Sequence, residues 1–174
     1  MTGRSKLAWM RSAPDVIAGP SASEQLIDRF YGALALRDHR TMGACYLPDA
    51  RFSDPVFGEL DGDEVRAMWR MLCERGTDLV VTHSAVEADG ERGSARWVAS
   101  YTFSPTGRPV RNEIEALFRF ADGLIAEHDD RFDLWKWTRQ ALGTTGLLLG
   151  WSPPVQGKVR AQARSALQAA MARS

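Results

Sequence analysis

The stretch Leu-Pro-Asp-Ala-Arg-Phe-Ser-Asp-Pro-Val-Phe-Gly-Glu-Leu-Asp-Gly, Leu47 to Gly62, decides how this chain is read. A turn at Pro48 and Asp49 leads into a short strand, Ala50 to Ser53. The chain then kinks at Asp54-Pro55 and passes through a Gly-flanked turn toward a helix. Pro55 has no N–H and biases Asp54 toward extended geometry, so the strand breaks there. The break leaves one carboxylate, Asp54, among Phe52, Val56 and Phe57. A carboxylate in such a place is a candidate general base. It is equally suited to capping a turn, as Asp is before Pro.

Working outward, Ser21 to Leu36 reads as a helix. Ser21 and Glu24 have capping-box spacing, and Leu26, Ile27, Phe30, Ala33 and Leu34 form its apolar stripe. Asp38 caps a second short helix reaching about Cys45. A third helix runs from Asp63 to Arg75 with Val65, Met68, Trp69 and Leu72 on one face, and Gly76 stops it. The period then changes from helical to two. Strands are expected at Asp78–Ala88, Ser94–Phe103, Val110–Phe120 and Leu124 to about Asp133, with Asp122-Gly123 a tight hairpin turn. Three helices before a four-strand meander make an α+β pattern, with the helices on one face of a curved sheet and a conical cavity between them.

Beyond this unit, Leu134 to Leu142 reads as a short helix, Gly146 to Pro154 as an irregular apolar segment, and Ser152 opens a last helix to about Arg173. The division is an N-terminal arm, 1–20, a domain, 21–143, and a C-terminal extension with a terminal helix, 144–174. In the arm, Trp9, Met10, Val16 and Ile17 are positioned to dock, but Pro14, Gly19 and Pro20 break any long regular element.

The chain has 174 residues and balances 22 Lys and Arg with 22 Asp and Glu. Nothing in this global charge points to nucleic acid or to an anionic membrane, and no apolar run reaches spanning length. Cys45 and Cys73 have neither metal nor redox spacing and read as buried thiols of a reducing compartment. With no apolar leader segment, the expectation is a cytoplasmic protein.

Strand parity selects the residues of the cavity. Trp97, Ala99 and Tyr101 share a face, as do Asn112, Ile114, Ala116, Phe118 and Phe120. If Phe132 turns inward on the last strand, His128 and Asp130 turn with it. The expected site therefore holds Asp54, Asn112, His128 and Asp130 on a lining of Phe30, Trp97, Tyr101 and Phe118. Buried polar side chains among aromatics need hydrogen bonds or a function. His128 with Asp130 fits either a structural pair at a dimer seam or a catalytic pair. His128-x-Asp130 has no second His or Cys spacing to complete a metal site, so no metal is expected.

Asp-Arg-Phe-Tyr-Gly-Ala-Leu (28–34), Tyr-Leu-Pro-Asp-Ala-Arg-Phe-Ser-Asp-Pro-Val (46–56), Asp61-Gly62, Phe-Arg-Phe-Ala-Asp-Gly-Leu-Ile (118–125) and Glu-His-Asp-Asp (127–130) follow one another in this order. Over Ser21 to Gly143 the chain resembles the nuclear transport factor 2-like superfamily of cone-shaped α+β barrels, which includes SnoaL-like polyketide cyclases and ketosteroid isomerases. The resemblance implies that Asp54 is the proton-moving aspartate of the isomerases. It also implies that their oxyanion donors are missing, because Phe30 and Ala116 stand in those places; neighbouring Tyr31 offers a substitute. Asp130 is similar in position to the acid/base aspartate of SnoaL-like cyclases. A homodimer through the outer sheet face is implied too.

The expectation is a cofactor-independent isomerase, cyclase or dehydratase acting on an apolar substrate. Asp54 is its base, Asp130 tuned by His128 its acid or second base, and Tyr101 and Asn112 orient a substrate oxygen. A non-catalytic binding module for a hydrophobic small molecule, and a dimeric interaction protein with a vestigial pocket, are the alternatives.

Overall fold

The computed structural model describes residues 19–173, so most of the N-terminal arm, including Trp9, Met10, Val16 and Ile17, lies outside the described residues. Helix α1 (Ala22–Ala35) opens with the expected capping box: the Ser21 N–H donates to Glu24 Oε2 at 2.6 Å, and the Glu24 N–H donates to Ser21 Oγ at 3.1 Å. An N-cap of this kind is worth about 1 kcal/mol. Ile27, Phe30, Tyr31 and Leu34 are then buried at helical spacing. Asp38 caps α2 (His39–Ala44) through the Arg40 and Thr41 N–H groups.

The strands are β1 (Tyr46–Asp54), β2 (Gly58–Asp61), β3 (Val80–Ala88), β4 (Arg92–Phe103), β5 (Arg108–Ala121) and β6 (Leu124–Arg131), with α3 (Gly62–Arg75) between β2 and β3. They form one curved sheet in the order β2-β1-β6-β5-β4-β3. The four-strand meander of the sequence reading is present, but two more strands extend it. Neighbours are antiparallel except β1 and β6, which run parallel. Asp122 and Gly123 both have positive φ, 52° and 75°, as a two-residue type I′ hairpin turn requires.

Three local expectations are corrected. Pro48 and Asp49 are in β1 and not in a turn. The β1–β6 register shifts between Tyr46 and Arg51, and Arg66 takes up the carbonyls of Tyr46, Leu47 and Pro48 that the ladder leaves over. Pro48 has no N–H to lose at such an irregularity. The stretch after the kink is also a strand: β2 pairs back on β1 from Asp54–Gly58 to Arg51–Asp61, so the turn is only Pro55 to Phe57. The third correction concerns the Gly146 segment, which is helical.

After β6, α4 (Leu134–Leu142) ends the domain, and α5 (Thr144–Leu149) and α6 (Pro153–Met171) form the C-terminal extension. A Cβ on Gly146 would lie 1.9 Å from the Thr138 carbonyl oxygen, and one on Gly150 2.1 Å from Thr138 Oγ1. Bare backbone at both positions lets α5 lie directly against α4, which explains a helix where propensity suggests none. Helix α6 docks on its own domain. Leu167 and Ala170 enter the main core, Arg160 donates to the Pro55 carbonyl at 2.9 Å, and Arg164 donates to the Glu59 carbonyl at 2.6 Å.

Candidate active site

The parallel rungs Phe52–His128 and Ser53–Asp129 place Asp54 one residue beyond the last β1–β6 pair, alongside Asp130. Alternation turns Tyr46, Ala50 and Phe52 inward on β1 and His128 and Asp130 inward on β6; all five are buried. The two candidate carboxylates therefore come from neighbouring strands although they are far apart in sequence.

A hydrogen-bonded chain runs through the middle of the cone. Trp69 Nε1–H donates to Tyr46 Oη at 3.0 Å, and Tyr46 Oη lies 2.6 Å from His128 Nδ1. His128 Nε2 lies 3.0 Å from Asp130 Oδ1, which also accepts from Trp97 Nε1–H at 3.1 Å. The two indoles can only donate, so Trp69 gives its proton to Tyr46 and Trp97 gives its proton to Asp130. Tyr46 Oη and Asp130 Oδ1 hold the imidazole at both of its nitrogens.

The rings around this chain shield it. Phe118 is 4.4 Å from the His128 ring, centroid to centroid, and Phe30 stands edge-on to His128, Tyr46 and Trp69. The His128 and Asp130 side chains are 0% and 4% exposed. A buried pair deprived of one partner is costly, so this network specifies the core as well as any chemistry. Tyr31 Oη is the exception. Among the described residues it is the one buried side-chain polar atom without a partner. Burial, followed by the charges of Asp130 and Tyr46, pushes its phenol well above the ordinary range. Its ring stacks on His83, which itself reaches Asp28 at 2.9 Å.

Asp54 is different in kind. It is half-buried, and its Oδ1 accepts from the Val56 N–H at 2.8 Å and the Phe57 N–H at 2.5 Å. It therefore caps the turn, as one of its two readings has it. Those bonds favour the charged form, yet burial outweighs them. Burial, with the Asp130 charge adding to it, raises the carboxyl from 3.8 to about 7.

The remaining sequence candidates divide by position. Tyr101 Oη accepts from Trp137 Nε1–H at 2.8 Å, and burial with the Asp54 charge raises its phenol. Asn112 is half-buried and opposite Ala99, four residues or about 13 Å along β5 from the rung that faces Asp130. Phe132 is half-buried where the main core meets a smaller apolar cluster of Val110, Leu134, Trp137 and Ala141. Tyr101 and Asn112 thus belong with the rim, and Phe30, Tyr31, Trp97 and Phe118 with the buried centre.

Val159 of α6 packs on the same smaller cluster beside Val56 and Tyr101. Helix α6 therefore meets the domain beside the Asp54 turn. Two surface depressions, about 710 Å³ beside α2, α3 and Met171 and about 460 Å³ beside Asp78, Tyr101 and Gln140, are lined by none of Asp54, His128 and Asp130. Tyr46 and Trp69 were missed as polar partners by sequence reasoning. The signal available was a buried imidazole that needs a hydroxyl, with Tyr46 on the inward parity of β1. Among the described residues, no group of three or more His, Cys, Asp or Glu is arranged to hold a metal.

The profile of the SnoaL-like domain matches residues 27–128. No curated protein matches the sequence. Among solved structures, TsrD from Streptomyces laurentii is 28% identical over 69% of this chain and 94% of its own, with a TM-score of 0.60. IdmH from Streptomyces antibioticus, a proposed polyketide cyclase, is 25% identical over 72% of this chain and 100% of its own, also at 0.60. An LEH-like epoxide hydrolase from M. tuberculosis shares the fold at 20% identity, over 73% of this chain and 92% of its own, at 0.58. With a curved six-stranded sheet, helices on its inner face, and a family profile spanning more than half its length, the chain belongs to the SnoaL-like domain family.

Proposed function

We propose that this protein is a small-molecule enzyme that moves protons without a cofactor, catalysing an isomerisation, cyclisation or dehydration of an apolar substrate. One observation carries the reading: two carboxylates lie side by side on β1 and β6 in unlike surroundings. Asp130 is buried and held by His128 and Trp97. Asp54 is half-buried at the rim and titrates at about 7. Two carboxylates in unlike surroundings can divide the roles of acid and base. Asp54 takes a proton from the substrate and returns it. Asp130, tuned by His128, is the acid or second base. Tyr31 offers its unpartnered hydroxyl to a substrate oxygen, in place of the donors that Phe30 and Ala116 lack.

A second reading has specific support. The centre is filled by its own rings, and α6 packs beside the Asp54 turn, which suits a vestigial pocket in a protein that acts by interaction. Native mass spectrometry of the purified protein, compared with its denatured mass, identifies any bound compound. That compound is then offered to wild type and Asp54→Asn. A general base is worth about 10²–10⁴-fold, so a loss of that size supports the enzyme. Full turnover by Asp54→Asn removes the base role, and binding without turnover in wild type favours a binding module. We further propose pairing of two copies through the outer sheet face; light scattering at micromolar concentration tests it.

A further inference from the structure

The whole-chain charge of zero conceals an asymmetry. Residues 134–174 carry Lys136, Arg139, Lys158, Arg160, Arg164 and Arg173 and no Asp or Glu. The rest of the chain therefore has six more acids than bases. Within this basic segment sits Gly146-Leu-Leu-Leu-Gly-Trp151, and its helix is turned against the usual rule. The glycines face α4 and are buried, which leaves the leucines outside. Leu147 is 51% exposed, Leu148 68%, Leu149 50% and Trp151 64%. Four large apolar side chains within five residues are thus presented to solvent by construction, since a Cβ at Gly146 would collide with α4 backbone.

Basic side chains accompany this apolar knob. Arg108 lies against Gly143, at the start of α5, and Arg139 lies 4.8 Å over the Trp135 ring, which is itself 38% exposed. Among the described residues, Arg108, Arg139 and Lys158 enter no ion pair. An apolar projection of leucine and tryptophan with unneutralised cations matches the two components of a bilayer surface, acyl chains and anionic headgroups. No helix of the described residues is long and apolar enough to cross a membrane.

We propose that α5 with Trp151 seats this protein on an anionic phospholipid surface, inserting Leu147, Leu148, Leu149 and Trp151 while Arg108 and Arg139 meet the headgroups. The acidic remainder of the chain is left facing water. This departs from the expectation of no membrane partner, which rested on whole-chain charge and the lack of a spanning run.

The test is flotation of the full chain with vesicles of phosphatidylcholine alone and of phosphatidylcholine with phosphatidylglycerol at 3:1, in about 0.1 M salt. Binding to the anionic vesicles is expected to be roughly ten-fold stronger or more, and to weaken with added salt. Leu147→Ser/Leu148→Ser/Trp151→Ser is expected to return it to background with an unchanged circular dichroism spectrum. Arg108→Ala/Arg139→Ala is expected to lose the preference for anionic lipid. No flotation with either vesicle overturns the proposal, and equal flotation with both overturns its electrostatic half. A dimer in light scattering that the triple serine variant dissolves assigns the knob to a second copy and overturns it as well.

Discussion

Replacing Asp54 by asparagine should stabilise this protein while removing its proposed chemistry, and the gain should depend on pH. A carboxyl raised from 3.8 to about 7 is harder to ionise in the fold than in the unfolded chain. Below about pH 4 it is protonated in both states and contributes nothing. Between about 4 and 7 the native state keeps a proton that the unfolded chain has released, so wild-type stability falls as pH rises. Above 7 the deficit is constant. The full displacement corresponds to about 4 kcal/mol. Asp54 is only half-buried, so solvent screening brings the expected figure to about 2–4 kcal/mol. The amide side chain of the variant keeps an oxygen for the Val56 and Phe57 N–H groups, so the turn survives. Urea denaturation of both proteins between pH 4 and 8.5 measures the difference. It should be near zero at pH 4, grow through pH 5–7 and level off above. A difference that is flat across this range, or that favours wild type at pH 8, refutes the raised carboxyl and with it the poised base.

Further outcomes follow from the same contacts. Tyr46→Phe strips the acceptor of Trp69 and the hydroxyl partner of His128 in a buried core, and should cost about 2–4 kcal/mol in urea denaturation. Gly146→Ala drives a methyl into the Thr138 carbonyl; a loss of about 1–3 kcal/mol is expected, read as a fall in Tm. Arg160→Ala/Arg164→Ala releases α6 from the Pro55 and Glu59 carbonyls, and the Asp54 carboxyl should then titrate lower, as seen by carbon-13 NMR. An unmoved titration would show that α6 does not shield the rim.

Much of the fold was legible because its signals are local. The capping box at Ser21, the stripe on α1, the Asp122-Gly123 hairpin and the inward parity of His128 and Asp130 each depend on residues within a few positions of one another. Strand β2 and helix α5 were not legible, because each exists through a partner: β2 through its pairing with β1, and α5 through the backbone contact that Gly146 and Gly150 permit.

The site divides in the same way. Sequence alone determined that Asp54 stands at a strand break and that His128 and Asp130 share a face among aromatics, since proline geometry and the period of two are properties of the chain itself. Only the tertiary structure decided that Asp54 lies beside Asp130, that Tyr46, itself held by Trp69, meets the histidine, and that α6 docks beside the Asp54 turn. Those facts rest on a parallel pairing between β1 and β6 and on docking of the C-terminal helix. Contacts so distant along the chain are set by the closing of the whole sheet, which no short stretch encodes.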